Sequence, residues 1–211
     1  MLKRLFDVFL SSVLLVILSP LLLILALLIK RNSPGPVFFR GVRAGRYGKP
    51  FRIYKFRTMV ADAERLGGFS TADDDPRITR IGRRLRKHKL DELPQLINVL
   101  KDEMSLVGPR PEVPHYVNLY TDEERAILTV RPGLTDWASI WNPDEGAILA
   151  GSPNPEKTYM EKIRPGKLRL QLKYVRERSF RNDIVILLLT LRALVTPRFA
   201  KARNQHVGTS A

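Results

Sequence analysis

An acidic pair, Asp91-Glu92, follows directly on a basic stretch and precedes a helical pattern of apolar residues at Leu93, Leu96, Ile97 and Leu100. Pro94 suits a first helical turn, so Asp91 is predicted to be the N-cap, and an isolated motif of this kind more often only caps a helix. The neighbouring cations Arg86, Lys87 and Lys89 should keep Asp91 ionised and attract a phosphate to the same place. An ionised carboxylate beside a bound phosphate is the arrangement that an acyl-phosphate intermediate needs, and Glu92 could share a divalent cation or steer the incoming nucleophile.

The loop after this helix holds an arginine between two prolines, in the run Gly108-Pro109-Arg110-Pro111. A guanidinium fixed in an extended loop suits bidentate contacts to a phosphate, although the same run could be only a stiff turn. Arg131 repeats the pattern on a Pro-Gly turn. Arg110 and Arg131 are therefore candidate phosphate ligands.

The basic stretch before the acidic pair, Arg77–Lys89, places eight cations, counting His88, in thirteen positions. Apolar residues recur within it at three- and four-residue steps, which predicts an amphipathic basic helix suited to a membrane surface or a polyphosphate. Asp73-Asp74-Asp75-Pro76 precedes it; three carboxylates could bind a metal, but an acidic turn is the commoner use of such a run.

These residues must be held by a chain of uneven composition. It has 211 residues, no cysteine and a net charge of +15, yet residues 5–29 contain 20 apolar residues and a single charge, Asp7. This excludes a simple soluble globule, a polytopic transporter and a disulfide-stapled domain. The absence of cysteine fits a reducing compartment.

The apolar segment admits two membrane topologies. As a straight helix it would be about 37 Å long, enough to cross a bilayer, but Ser19-Pro20 should kink it into arms of about 22 and 15 Å. Basic residues flank both ends, which favours keeping both ends on the cytoplasmic side in a re-entrant hairpin. The residues alone leave re-entrant and spanning forms open; a cleaved signal peptide is disfavoured because no small-x-small site follows.

The body begins with a basic, aromatic stretch over residues 31–57, predicted to form two short strands, Val37–Phe39 and Phe51–Tyr54, joined by a Gly-rich turn. Nucleic acid and anionic lipid would both suit this composition, and proximity to the apolar segment favours lipid. Near the end, Asp183–Val195 is too short to span and is predicted to be an interfacial or a buried core helix.

Several runs occurring in order resemble a known family: YKFRTM (54–59), DPRITRIGRRLRKHKLDELPQLINVLKDEMSLVGPRPE (75–112), RPGLTDWASIW (131–141) and the tail SFRNDIVILLLTLRAL. Together with the Ser-Pro break they are similar to the bacterial sugar transferases, the small monotopic phosphoglycosyl transferases that begin envelope glycan assembly. Three local departures are His88-Lys89, Lys101-Asp102-Glu103 and Asp136-Trp137-Ala138-Ser139. The last puts in doubt any sugar specificity inferred from relatives.

The resemblance implies a role for each matching position. Asp91 corresponds to the nucleophile that attacks the β-phosphate of a UDP-sugar, with Glu92 as its partner and Mg2+ held in part by the pair. Arg110 and Pro111 match the phosphate-binding loop, and Lys55 and Arg57 match a basic pair that contacts phosphate, with Arg86 and Arg131 as further substrate contacts. Ser19 and Pro20 match the break that makes the anchor re-entrant.

The expected fold is α+β and mainly helical, with an N-terminal re-entrant helix-break-helix hairpin over residues 1–31 and a cytoplasmic membrane-associated catalytic domain over 32–211, built of amphipathic interfacial helices and a small β element. The expected partners are a UDP-sugar, undecaprenyl phosphate, anionic lipid and downstream glycosyltransferases, with a homodimer as a further expectation and no nucleic acid. The expected location is the cytoplasmic face of the bacterial inner membrane. A non-catalytic, membrane-tethered basic protein that binds lipid or nucleic acid is the alternative.

Overall fold

The structure, a computed structural model, describes residues 1–195 of the chain. Its helices are α1 (Leu2–Asn32), α2 (Arg80–Lys87), α3 (Gln95–Leu100), α4 (Pro114–Val117), α5 (Trp137–Trp141), α6 (Glu145–Leu149), α7 (Pro155–Thr158), α8 (Arg164–Glu177) and α9 (Phe180–Val195). Short strands are β1 (Phe38–Phe39), β2 (Val42–Ala44), β3 (Pro50–Arg52), β4 (Lys55–Phe56), β5 (Ser105–Val107) and β6 (Gly133–Thr135). The predicted mainly helical α+β fold is therefore confirmed at this level, while residues 196–211 of the predicted catalytic domain lie outside the described part.

Helix α1 is the one helix in the described part that is long and apolar enough to cross a membrane. It runs without interruption through Pro20, and the Ser19 hydroxyl donates to the Val16 carbonyl at 2.8 Å. The predicted division into two separate arms is thus not marked by a gap in the helix. Most of its apolar side chains are exposed, so the helix presents a surface that water would not solvate favourably.

Both ends of α1 contact the rest of the molecule. Near the start, Lys3 pairs with Asp183 at 2.5 Å, and Asp7, the lone charge of the apolar segment, accepts from the Ser105 hydroxyl at 2.7 Å. Near the end, Leu25 and Ile29 are buried in a cluster with Phe56 and Leu85. The helix is therefore packed against the folded body near both of its ends rather than tethered at one end.

The β element is a set of two-stranded pairs. β1 pairs with β4 and β2 pairs with β3, both antiparallel, so the predicted pair of strands forms a hairpin whose arms are each divided in two. β5 pairs with β6 in parallel, in the register Ser105 to Gly133. β5 leads into the loop that contains Arg110, and β6 follows directly on the turn that contains Arg131.

The main hydrophobic core lies under these pairs, between α3, α5, α8 and α9. Helix α9 contributes Ile186, which is fully buried, while Leu188, Leu191 and Leu194 on the same helix are more than half exposed. The sequence left a core helix and an interfacial helix as alternatives. The structure shows one face of α9 packed and the other apolar and open.

Candidate active site

Three segments that are distant in sequence bring four charged side chains together. Lys55 lies on β4, Asp91 and Glu92 lie in a 3-10 turn (Leu90–Glu92), and Arg110 lies in the loop after β5. The Lys55 ammonium donates to Glu92 Oε1 at 2.9 Å, and the Arg110 guanidinium donates to the same oxygen. These four residues were all predicted from the sequence, and the structure places them in one group.

The turn that carries the acidic pair differs from the prediction. Asp91 is not an N-cap, because α3 begins only at Gln95 and its cap position is Pro94, which has no side-chain hydrogen bond to the helix. Lys89 adopts a left-handed conformation with φ of 56°, which reverses the chain and starts the 3-10 turn. Asp91 is thereby turned inward and is only 5% exposed.

Asp91 has a polar atom left without a partner. Its Oδ2 lies 3.9 Å from the Lys55 ammonium, whereas its buried Oδ1 accepts no hydrogen bond from the described residues. Burial raises the pKa of Asp91; Lys55, Arg86 and Lys89 oppose this, and the Glu92 charge adds to it. Burial therefore works against the ionised state that the sequence predicted. A buried acceptor without a partner is costly, which marks Oδ1 as a position for an incoming ligand.

Glu92 is in the opposite electrostatic situation. Burial alone would raise its pKa, but the charges of Arg110 and Lys55 and the Arg110 hydrogen bond hold the pKa well below its usual range. For Lys55, burial lowers the pKa despite the two carboxylates nearby. Two cations thus compensate the charge of Glu92, whereas Asp91 keeps a buried oxygen that has no hydrogen-bond partner among the described residues.

The backbone around Arg110 is fixed by residues that the sequence did not identify. Its amide donates to Asp136 Oδ2 at 3.2 Å, and the Gln171 side chain donates to its carbonyl at 3.3 Å. Gln171 also donates to Asp136, and both side chains are fully buried. Helices α5 and α8 therefore hold the loop that presents the guanidinium to Glu92.

A buried ion pair supports the next residues of the same loop. Glu112 Oε1 lies 2.6 Å from the Lys167 ammonium of α8 and accepts from the Tyr159 hydroxyl at 2.9 Å. Lys167 also pairs with Glu145 at 3.1 Å. Pro111 lies between Arg110 and Glu112, outside the helices and strands.

The remaining predicted residues have other contacts. Arg57 donates to the carbonyls of Ser33, at 2.8 Å, and Pro34, so it ties the end of the anchor to the body. Arg131 pairs with Asp102 at 2.7 Å. Arg86 donates weakly to the Thr71 carbonyl at 3.4 Å while its charge acts on Asp91. Direct phosphate binding by Arg57 and Arg131 stays a prediction.

The basic helix is shorter than predicted. It starts at Arg80, with the Thr79 hydroxyl capping Gly82 N at 3.0 Å. Arg77 lies outside it and pairs with Asp75 at 2.6 Å, as expected for an acidic turn. The described residues contain no group of three or more histidine, cysteine, aspartate or glutamate side chains that could hold a metal.

The fold combines a long, exposed apolar helix with a buried group of two carboxylates and two cations. Residues 1–197 match the family model described as bacterial sugar transferase, and the chain belongs to that family. It is 40% identical over 206 residues to the uncharacterized sugar transferase EpsL of Bacillus subtilis (strain 168), covering 98% of this chain and 93% of that protein.

Two further relatives are named for an activity. The UDP-N-acetylgalactosamine-undecaprenyl-phosphate N-acetylgalactosaminephosphotransferase of Aeromonas hydrophila is 36% identical over 92% of this chain and 44% of its own length. The UDP-glucose:undecaprenyl-phosphate glucose-1-phosphate transferase of Escherichia coli (strain K12) is 40% identical over 90% of this chain and 39% of its own length. The chain thus spans less than half of these two proteins.

Proposed function

We propose that this enzyme is a phosphoglycosyl transferase that moves a sugar phosphate from a UDP-sugar to undecaprenyl phosphate and releases UMP. The observation that carries the proposal is the buried, unpartnered Oδ1 of Asp91 beside Lys55 and the Glu92–Arg110 pair. Family membership and the names of the relatives support the same reaction class. The product, a polyprenyl-diphospho-sugar, would be the first membrane-bound intermediate of glycan assembly, for downstream glycosyltransferases to extend.

The proposed reaction has two displacements on one phosphorus atom. In the first, a carboxylate oxygen of Asp91 attacks the β-phosphorus of the UDP-sugar, the bond to the bridging oxygen breaks, and UMP leaves with the electron pair. In the second, a phosphate oxygen of undecaprenyl phosphate attacks the same phosphorus, and the Asp91 carboxylate is released. The covalent intermediate lets one site handle two anionic substrates in turn.

The cations of the site have separate tasks in this scheme. Lys55, which lies nearest to Asp91, reduces the repulsion between the carboxylate and the incoming phosphate. Arg110 is held on Glu92 and, from a loop fixed by α5 and α8, can offer its remaining donors to phosphate oxygens. Arg86 adds positive field from α2.

A divalent cation is also part of the proposal. Mg2+ needs only one or two protein carboxylates when substrate phosphates and water complete its coordination, and the free Oδ1 of Asp91 fits that requirement. Asp91, with Glu92 as the neighbouring candidate, would hold the ion, which supplies charge neutralisation of the phosphates. The engagement of Glu92 with Lys55 and Arg110 leaves Asp91 as the better ligand.

The membrane arrangement that we propose is a re-entrant anchor at the cytoplasmic face of the inner membrane. Lys3 contacts the body through Asp183, and Asn32 at the other end accepts from the Ile81 amide at 3.4 Å. A helix whose two ends contact one body is compatible with entry and exit on the same side. Exposed apolar faces of α1 and α9 would then lie in lipid, with basic residues at the anionic headgroups.

The alternative of a non-catalytic basic protein that binds lipid or nucleic acid is not supported by the family or by the relatives. It differs from the transferase in what it requires of Asp91. A binding protein would tolerate the loss of one buried carboxylate charge, whereas an enzyme that forms an aspartyl intermediate would not.

The test is UMP release by the detergent-solubilised protein with undecaprenyl phosphate, Mg2+ and a panel of UDP-sugars. We expect Asp91→Asn to lower the rate by at least about a thousandfold, because the nucleophile is removed. Asp122→Asn, an identical change at an exposed position, should leave the rate unchanged. Without acceptor, the parent protein should release UMP stoichiometrically and gain one phosphosugar on the peptide that contains Asp91. UMP release by Asp91→Asn at the parent rate would refute the proposal.

A further inference from the structure

A groove lies between the end of the anchor and the basic helix. It is an open groove of about 380 Å³, lined by Leu28, Arg31 and Asn32 of α1 and by Arg80, Ile81 and Arg84 of α2. Leu28 and Ile81 supply an apolar wall, and the three guanidinium groups supply the charge. The groove is open at the point where the apolar run of α1 ends, which is the depth of the lipid phosphates if α1 is embedded.

The three arginines of this groove have no partner among the described residues that accounts for their position. Arg31, Arg80 and Arg84 are exposed, and within residues 1–195 none of them has a carboxylate partner or a side-chain hydrogen bond. Other arginines nearby are engaged: Arg77 pairs with Asp75, and Arg57 donates to two carbonyls. Three like charges gathered without a counterion repel one another, and an anion placed between them would relieve that repulsion.

The groove is distinct from the candidate active site. At about 100° per residue, Arg84 and Arg86 lie about 160° apart around α2. Arg86 contacts Thr71 and acts on Asp91, whereas Arg84 lines the groove with Arg31. The buried residues Gly82 and Leu85 separate the two faces. An anion in the groove is therefore on the other flank of the helix from the reacting carboxylate.

We propose that this groove binds the headgroup phosphate of an anionic phospholipid, with one acyl chain along Leu28 and Ile81. Charge complementarity selects an anionic headgroup, and the open side toward the exposed face of α1 admits the acyl chain. Guanidinium groups suit this role since they bind phosphate oxygens bidentately. The lipid would fix the depth of the anchor and the orientation of α2. The inference rests on the membrane embedding of α1 and not on the proposed transfer reaction.

The test uses the full-length protein in mixed micelles and counts bound lipids by native mass spectrometry. The probes are dioleoyl phosphatidylglycerol, dioleoyl phosphatidylcholine and undecaprenyl phosphate, each titrated separately. We expect the parent protein to retain one phosphatidylglycerol, and the combined variant Arg31→Gln, Arg80→Gln, Arg84→Gln to bind it on the order of a hundredfold more weakly. Phosphatidylcholine should be retained by neither protein, and undecaprenyl phosphate should be retained equally by both.

Two control variants distinguish lipid binding in the groove from a general effect of positive charge. The variant Arg125→Gln, Arg169→Gln, Lys173→Gln removes three exposed cations elsewhere and should bind phosphatidylglycerol as the parent does. Replacing the three groove arginines by lysine keeps the charge but loses bidentate contacts, so its affinity should fall between those of the parent and the glutamine variant. Equal weakening in the distant variant, or loss of undecaprenyl phosphate instead of phosphatidylglycerol from the groove variant, overturns the proposal. Unchanged helical content by circular dichroism shows that each variant is folded.

Discussion

Glu112 shows how single residues of the site are held by charge rather than by local structure. Burial would raise its pKa, but the Lys167 ammonium and hydrogen bonds from Lys167 and Tyr159 hold the pKa below its usual value. A carboxylate with a lowered folded-state pKa stabilises the protein above its unfolded pKa of about 4.5, and this contribution disappears as the pH falls through the folded value. The loop that presents Arg110 should therefore weaken in acid.

We expect Glu112→Gln to reduce the melting temperature at pH 7 by several degrees, because it leaves the buried Lys167 with a weaker partner. The difference from the parent should begin to narrow as the pH falls below about 4.5, and should disappear as the pH falls through the lowered pKa of Glu112, where the parent loses the ion pair. Circular dichroism melts in detergent from pH 7 to pH 3 measure both. Glu177→Gln, the same substitution at an exposed position, should leave the melting temperature unchanged. A melting-temperature difference between Glu112→Gln and the parent that stays constant down to pH 3 would contradict the prediction.

Asp91 illustrates what residue-level patterns could and could not predict. Its chemical importance followed from an acidic pair placed after a basic run. Its environment did not follow, because the left-handed turn at Lys89 and the contact with Lys55 depend on tertiary packing. Asp136 stood out only as a departure from the family pattern, and Gln171 not at all, because their contacts with Arg110 span 26 and 61 positions of sequence.

At the scale of elements, α2 is in close contact with the segment that follows β4, the strand that carries Lys55. A Cβ atom at Gly82 would lie 1.9 Å from the Thr58 carbonyl oxygen. The same carbonyl accepts from the Thr79 amide at 2.9 Å, so the start of α2 is fixed to the segment just after β4. The position of Arg86 relative to Lys55 thus depends on the absence of a side chain at Gly82.

We expect Gly82→Ala to destabilise the protein by about 1–3 kcal/mol, although alanine has the higher helix propensity, since the backbone of Thr58 cannot move aside cheaply. It should also slow UMP release by shifting Lys55 relative to Asp91. Urea unfolding and the UMP assay measure these effects. Arg83→Ala, at the next position of α2, which is exposed, should change neither the free energy of unfolding nor the rate of UMP release. A Gly82→Ala protein as stable as the parent would show that the contact with Thr58 is not tight.

The boundaries of elements were predicted less well than their types. The basic helix was predicted to begin at Arg77 but begins at Arg80. Asp75 holds Arg77 in a turn before the helix, and Thr79 is the N-cap. The strands were found in the expected region, but each arm is interrupted, and the parallel pair β5–β6 was not predicted at all. Three-residue strands are too short to give an alternating pattern, so pairing at this distance leaves no trace in the sequence.

At the scale of the whole molecule, the uneven composition correctly predicted one long apolar helix, α1, while the phosphate-binding role of the basic body stays a prediction. It gave no indication of how closely the two are joined. Asp7 could be counted as the lone charge of the segment, but its partner Ser105 lies 98 positions away. Membrane topology therefore has to be tested directly.

The absence of cysteine allows single cysteines to be introduced as topology markers. We expect Leu2→Cys and Lys30→Cys, at the two ends of α1, both to react with a membrane-impermeant maleimide in inverted vesicles and neither to react in intact spheroplasts. Asp122→Cys in the body serves as the reference for the cytoplasmic side. Labelling of Leu2→Cys from the opposite side to Asp122→Cys would show that α1 spans the membrane.

The contacts of α1 have a practical consequence for anyone who wishes to work with the catalytic body in water. Removal of residues 1–31 would take Ile29 from Phe56 and Leu85, and Asp7 from the strand that leads to the Arg110 loop. The cut would thus open the core and remove one of the two acceptors of the buried Ser105 hydroxyl. Since α1 contributes to the core, we expect truncation to yield no folded soluble fragment, and a preparation that keeps the fold should need lipid or detergent around α1.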